Sequence, residues 1–248
     1  MADSPQLPTG YRLLAFDTLD STNKEALRRI DSIAESGDVV WSKRQTAGRG
    51  RRGREWVSTD GNLFLTLIVR IPEECMIGQL AFVTALGVAD ALVRAMNDPP
   101  NIRLKWPNDI LLDGHKLGGI LIERSDSPRN VDLIAIGIGI NVAEAAFPGS
   151  ASMRNSGCTA SLSVLVGLLC QEFDKWQECW LERGFAPVRD AWMARADRMG
   201  EHIKVQFPDG TSVEGTFHGI DETGALELRR AEGPCELIAT GEVFFPTA

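Results

Sequence analysis

The stretch LIAIGIGINV at 133–142 alternates Ile136, Ile138 and Ile140 with Gly137 and Gly139. A period of two belongs to a β-strand. One face of that strand is core and the other carries no side chains. Glycine inside a strand marks a place where another group comes close to the backbone. Any fold of this chain must therefore bury the isoleucines and set something against the bare face.

The surrounding runs fit a sheet with helices beside it. YRLLAF (11–16), VVWSK (39–43), NLFLTLIVRI (62–71) and IRLKW (102–106) read as strands, and NLFLTLIVRI, apolar on both faces, belongs inside a sheet. ILL and LGGILIE flank the turn DGHK, a hairpin signal. DTLDSTNKEALRRI starts a helix, with Thr22 and Glu25 at capping-box spacing. The run 80–96 reads as a core helix, short for a membrane span and interrupted by Asp90 and Arg94. Its Thr84, Gly87, Asp90, Arg94 and Asn97 fall three or four apart, which predicts a narrow wet stripe on a buried cylinder. Leu162, Leu165, Leu169, Phe173, Trp176 and Trp180 mark a further amphipathic helix, and another follows at roughly 186–197. From Gly200 the texture changes to short β-runs between PDG, GID and ETG turns. Two domains are expected, 1–198 and 199–248.

The N-terminus has no secretion signal, and five scattered cysteines without a C-x-x-C pair suit reduced intracellular thiols. A cytoplasmic protein without a structural metal site is expected. The chain is acidic, with a net charge of −8, yet QTAGRGRRGREW at 45–56 gathers four arginines among three glycines. Gly48, Gly50 and Gly53 spell G-x-G-x-x-G, but the loop leads into a turn and a strand rather than the helix that a dinucleotide site needs. Glycines let backbone N–H groups turn inward, and arginines grip phosphate or carboxylate oxygens in pairs. Taken alone the loop leaves three readings open: an anionic ligand, nucleic acid, or a solvated surface.

Its company narrows the choice. KWPND (105–109) holds Trp106 extended before Pro107 and sets Asn108 and Asp109 on a turn. KLGG (116–119) adds a lysine beside two glycines. Cations, an acid able to hold a metal, and an arginine loop are what nucleotidyl transfer requires, because it rests on alignment and charge neutralisation.

With DSTN at 20–23, NLFLT at 62–66, KWPNDI at 105–110, KLGGILIE at 116–123 and GIGIN at 137–141 in order, the chain resembles the biotin protein ligase family. The resemblance implies an α+β catalytic domain of class II synthetase type, a mixed sheet with flanking helices, followed by a small all-β SH3-like domain. It implies biotin and ATP as substrates with Mg²⁺, biotinyl-5′-AMP as intermediate, and a lysine of a biotin carboxyl carrier protein as acceptor. On matching positions, Ser21, Thr22, Asn23 and Gln45 would take biotin's ring. Arg49, Gly50 and Arg51 would close over biotin and the adenylate. Lys116 would contact the biotin carboxylate and later the phosphate, and Lys105 would neutralise phosphate charge. Trp56 would stack on adenine, with Asn141 near the nucleotide. Asp109 would hold the metal or orient the incoming lysine. DSTN begins at residue 20, so no N-terminal DNA-binding domain, no sequence-specific DNA and no membrane are expected, while a homodimer fits the family. A lipoate-protein ligase and a nucleic-acid-binding module remain as alternatives. The second would want stacking platforms, and Tyr11 is the only tyrosine.

Overall fold

The computed structural model describes residues 4–96, 101–126, 130, 132–230 and 233–245. The larger layer is a seven-stranded mixed sheet. Its first unit, β1 (Arg12–Leu19), α1 (Thr22–Ile30) and β2 (Asp38–Gln45), makes the one parallel pair. Antiparallel β3 (Leu63–Arg70), β7 (Leu133–Ile140), β6 (His115–Arg124), β5 (Asp109–Leu112) and β4 (Ile102–Lys105) continue the sheet in that spatial order. The DGHK hairpin forms between β5 and β6 around the two residues Asp113 and Gly114.

The period-two pattern is carried out in full. Ile134, Ile136, Ile138 and Ile140 of β7, with Leu63, Leu65, Leu67 and Val69 of β3, face one main core. Helix α2 (Leu80–Ala95) packs on that face and α3 (Leu162–Arg183) packs on α2, with α4 (Phe185–Met193) against both. Each fully buried aliphatic side chain contributes about 1.5–3 kcal/mol of transfer free energy, so this face dominates stability.

The stripe on α2 is dry at Thr84 and Gly87 and reaches solvent only toward Arg94. Thr84 is buried and donates back to the Leu80 carbonyl at 2.6 Å. At Gly87 a Cβ would stand 2.8 Å from the Phe173 backbone, so α3 lies directly on the stripe. Asp90 accepts from Trp176 Nε1 at 2.7 Å and pairs with Arg195 at 2.7 Å, and Arg94 pairs with Glu172. A polar row at helical spacing serves here as a helix–helix seam whose polar groups are satisfied across it. Asn97 lies outside the described residues. The segment Ile77–Ala95 is long and apolar enough to cross a membrane by length and composition, but it is mostly enclosed by protein.

The capping box does not form. Ser21 is the N-cap of α1 without a side-chain cap bond, and Thr22 turns its hydroxyl to Gln45 Oε1 at 3.2 Å instead. Asp109 is the first residue of β5, opposite Lys105, rather than part of a turn.

After α4 come β8 (His202–Gln206), β9 (Ser212–Ile220), β10 (Leu226–Arg229), β11 (Glu236–Ile238) and β12 (Glu242–Phe244), one antiparallel sheet in the order β11-β10-β9-β8-β12. Its apolar residues Ile203, Val205, Phe217 and Leu226 belong to the same continuous core as the helices. Trp106, 3% exposed, donates to the Gly224 carbonyl at 3.0 Å, and Gln79 donates to the Glu222 carbonyl at 2.8 Å. The change of texture near Gly200 therefore marks a change of architecture without a break in the core.

Candidate active site

The second face of the large sheet grades from packed to open along three aligned rows. Ile68 of β3 pairs with Ala135 of β7, Thr66 with Gly137, and Phe64 with Gly139. Ile68 and Ala135 pack under α1 with Ala26 and Ile30. At Gly137 a Cβ would lie 2.2 Å from Asn23 Oδ1, and at Gly139 it would lie 2.5 Å from the Trp56 ring. The bare face predicted by the alternation is thus occupied by one helix side chain and one loop aromatic. It forms the floor of a cavity of about 450 Å³ bounded by the sheet, the arginine loop and the end of the small β-domain.

One end of the cavity is polar and uncharged. Ser21, Asn23 and Gln45 line it, while Thr22 sits buried behind. Thr22 donates its backbone N–H to Gln45 Oε1 at 2.8 Å, and Gln45 Nε2 donates to Ser58 at 3.2 Å. Gln45 is left with one N–H to offer. Asn23 gives both amide hydrogens away, to the Leu121 carbonyl at 3.2 Å and to Glu123 at 2.9 Å. Its Oδ1 faces the Thr66 hydroxyl at 2.6 Å and keeps a lone pair. This end therefore offers donors from Ser21 and Gln45 and one acceptor from Asn23, which suit the carbonyl and one N–H of a cyclic urea.

The other end is cationic. Arg49, Arg51, Arg52, Arg54, Lys105 and Lys116 line the cavity against three carboxylates, Glu55, Asp109 and Glu242. In a chain of net charge −8 this local excess focuses the field toward anions. Lys116 pairs with Asp109 at 2.7 Å, and its ammonium lies 5.8 Å from the Trp56 ring centroid. Arg49 pairs with Glu123 at 3.0 Å, and Arg54 pairs with Glu242, which Arg54 holds below the usual carboxylate range. Arg51 donates to Asn108 at 3.1 Å, and among the described residues it makes no ion pair. Burial pushes its guanidinium down, with Arg52 adding to the effect. Burial likewise lowers Lys105 below the ordinary lysine range, with Asp109 opposing. Lys105 lies 5.2 Å from the Phe245 ring centroid. Two half-buried cations that make no close ion pair among the described residues mark where an anion is best accommodated.

The loop is folded as a short excursion. Trp56 N–H donates to the Gly48 carbonyl at 3.0 Å and Gly50 N–H to the Arg54 carbonyl at 2.8 Å, with a single 3₁₀ turn at the tip. The tip touches the small domain, where Arg52 donates to Thr240 at 3.4 Å. Of the residues expected at the site, Ser21, Asn23, Gln45, Arg49, Gly50, Arg51, Trp56, Lys105, Asp109 and Lys116 line one cavity. Thr22 and Asn141 do not. Asn141 is buried and donates to the Ala151 carbonyl at 3.1 Å, with its Oδ1 unpartnered among the described residues. No cluster of three or more metal-ligating acids, histidines or cysteines occurs among the described residues. Sequence reasoning missed Asn108, Glu123, Phe147 and Glu242. Glu123 stood in the quoted run KLGGILIE, but its meaning depends on Asn23, 100 residues away.

Comparison with known proteins places this geometry. The model described as Biotin/lipoate A/B protein ligase family matches residues 15–141, and that of the Biotin protein ligase C terminal domain matches 199–245. The chain is 42% identical over 239 residues to a biotin–[acetyl-CoA-carboxylase] ligase of Paracoccus denitrificans, covering 91% of this chain and 97% of that one. It is 31% identical to the bifunctional ligase/repressor BirA of Escherichia coli (strain K12), covering 89% of this chain and 70% of the relative. Among solved structures, a biotin protein ligase from Aquifex aeolicus in complex with biotin and ATP superposes with a TM-score of 0.80 at 27% identity, covering 94% and 97%.

Proposed function

The chain belongs to the biotin/lipoate A/B protein ligase family, and from that premise we propose that it joins biotin to a carrier-protein lysine through biotinyl-5′-AMP. The observation that carries this reading is the division of one cavity into an uncharged polar end and a cationic end over a glycine floor. Biotin has the same division. Its fused ring carries a neutral urea with two N–H donors and one carbonyl acceptor, and its tail ends in a carboxylate.

In the first step a carboxylate oxygen of biotin attacks the α-phosphorus of ATP, the P–O bond to the β-phosphate breaks, and pyrophosphate leaves. Lys116, Arg51 and Lys105 neutralise the charge that builds up between carboxylate and phosphate, and each acts in a partly desolvated site where charges interact strongly. Lys116 must leave Asp109 to do so. Asp109 would then be free to hold the Mg²⁺ of the ATP complex, or to orient the incoming amine. A single carboxylate ligand would suit Mg²⁺, which takes few protein ligands. In the second step the lysine nitrogen forms a bond to the acyl carbon, the C–O bond to phosphate breaks, AMP leaves, and the amine loses a proton. Trp56 supplies an aromatic surface for the adenine, and Arg49, Gly50 and Arg51 cover the adenylate.

The acceptor is a biotin carboxyl carrier protein, with neither DNA nor a membrane required. A second copy of the chain would add at β1 or β4, the outer strands of the large sheet. A lipoate ring has neither N–H groups for Asn23 nor a carbonyl for Gln45, so it would leave both unmet. Sites built to hydrogen-bond a substrate reject analogues lacking those groups by up to about 10⁴–10⁵. The test is incubation with ATP, Mg²⁺, biotin and a purified carrier domain, read as a streptavidin gel shift. The reading predicts one biotin on one lysine; no shift, or a shift that survives omission of ATP, would refute it.

A further inference from the structure

We infer that Glu123 is the residue that fixes the direction of the hydrogen bond between Asn23 and the ligand ring, and that it docks Arg49 beside it. The inference rests on the biotin reading and goes beyond it. An asparagine amide can turn over by 180°, exchanging donor for acceptor, unless its partners forbid it. The Thr66 hydroxyl at 2.6 Å forbids nothing, since a hydroxyl can donate or accept. Glu123 at 2.9 Å and the Leu121 carbonyl at 3.2 Å are acceptors only. Together they claim both amide hydrogens and leave the carbonyl oxygen over Gly137 to accept an N–H from the ligand. The second carboxylate oxygen of Glu123 takes Arg49 at 3.0 Å. Glu123 does not line the cavity, so it is a positioning residue that works through two residues that do.

An uncharged Gln at this position keeps one acceptor but adds an NH₂, so only the Leu121 carbonyl still opposes turning Asn23 over. Alanine removes the anchor altogether. The effect should fall on biotin alone, because the nucleotide end is held by other groups. Steady-state pyrophosphate release is measured for wild type, Glu123→Ala and Glu123→Gln, each verified as folded by thermal melting, with biotin and ATP varied in turn. Losing one correctly directed hydrogen bond predicts a KM for biotin raised about tenfold in Glu123→Ala. Glu123→Gln should show a smaller rise, and KM for ATP should stay near wild type in both. In a cycle with Asn23→Ala, the two effects on KM for biotin should be less than additive, since the part of Glu123's effect that runs through Asn23 is already lost. The inference is overturned if Glu123→Ala leaves KM for biotin unchanged, raises both KM values equally, or adds its full effect to that of Asn23→Ala. A wild-type enzyme that releases no pyrophosphate with biotin would instead overturn the biotin reading itself.

Discussion

Gly137→Ala tests the glycine floor with a single methyl group. The alanine is conformationally welcome in β7, and replacing a strand glycine stabilises by about 0.5–1 kcal/mol. Its methyl would, however, start 2.2 Å from Asn23 Oδ1, 2.8 Å from its Cγ and 3.0 Å from its Nδ2. Comfortable contact lies near 3.5 Å, so the Asn23 amide must retreat by roughly 1 Å. That shift breaks or stretches its contacts with Thr66, Leu121 and Glu123, which now measure 2.6, 3.2 and 2.9 Å. Overpacking of this kind costs about 1–3 kcal/mol, leaving a net loss of about 0.5–2 kcal/mol after the backbone gain. For a chain of this size that is a fall in Tm of about 1–8 °C. Binding should suffer more. A buried group left without its partner costs about 1–3 kcal/mol, so the Kd for biotin should rise about 5- to 150-fold. Calorimetric titration with biotin and a thermal melt on the same sample measure both. Biotin affinity within about twofold of wild type, together with an unchanged Tm, would refute the placement of Asn23 over Gly137.

Other consequences follow from the charged end and from the shared core. Lys105 is needed as a cation and burial lowers its pKa, so kcat/KM should fall with rising pH before an ordinary lysine would titrate; Lys105→Arg should move that alkaline limb upward, and an unmoved limb would assign it to another group. Arg51→Gly should still form the adenylate but release it about 10- to 150-fold faster, from the loss of one charged contact of about 1.5–3 kcal/mol. Biotin would then appear on lysines of bystander albumin in a blot, whereas equal albumin labelling by wild type and variant would show that Arg51 does not retain the intermediate. A fragment ending at Arg198 should lack a native-like melting transition, because it uncovers Trp106 and part of the common core. A calorimetric peak within a few degrees of the full chain would show that the two sheets are independent after all.

Much of the architecture was legible because it depends on local periodicity. The Ile–Gly alternation of 133–140 named a strand with one buried and one bare face, and both faces are as expected. The hairpin at Asp113–Gly114 and the long helices were legible for the same reason. What failed were inferences in which a local rule competes with a distant partner. Thr22 has the spacing of a capping box, yet Gln45 on β2 offers its hydroxyl a better-placed acceptor. Thr84, Gly87, Asp90 and Arg94 look solvated on a helical wheel, yet α3 brings Phe173, Trp176 and Glu172 against them. The composition break near Gly200 coincides with the start of the second sheet, while the contacts of Trp106 and Gln79 across it could not be read from either segment alone. Among the site residues, glycines and cations stand out in sequence because their chemistry is unusual for their setting. Glu123 and Asn108 do not, since a carboxylate on a strand and an amide in a turn are ordinary until their partners are known.

The central claim is that this cavity activates a cyclic urea bearing a carboxylate. The most direct measurement is mass spectrometry of the purified chain incubated with ATP and Mg²⁺ and with either biotin or lipoate. The account predicts the mass of biotinyl-5′-AMP in the first sample and no lipoyl-adenylate in the second. A lipoyl-adenylate formed as readily as the biotin one, or no adenylate from biotin at all, would contradict it.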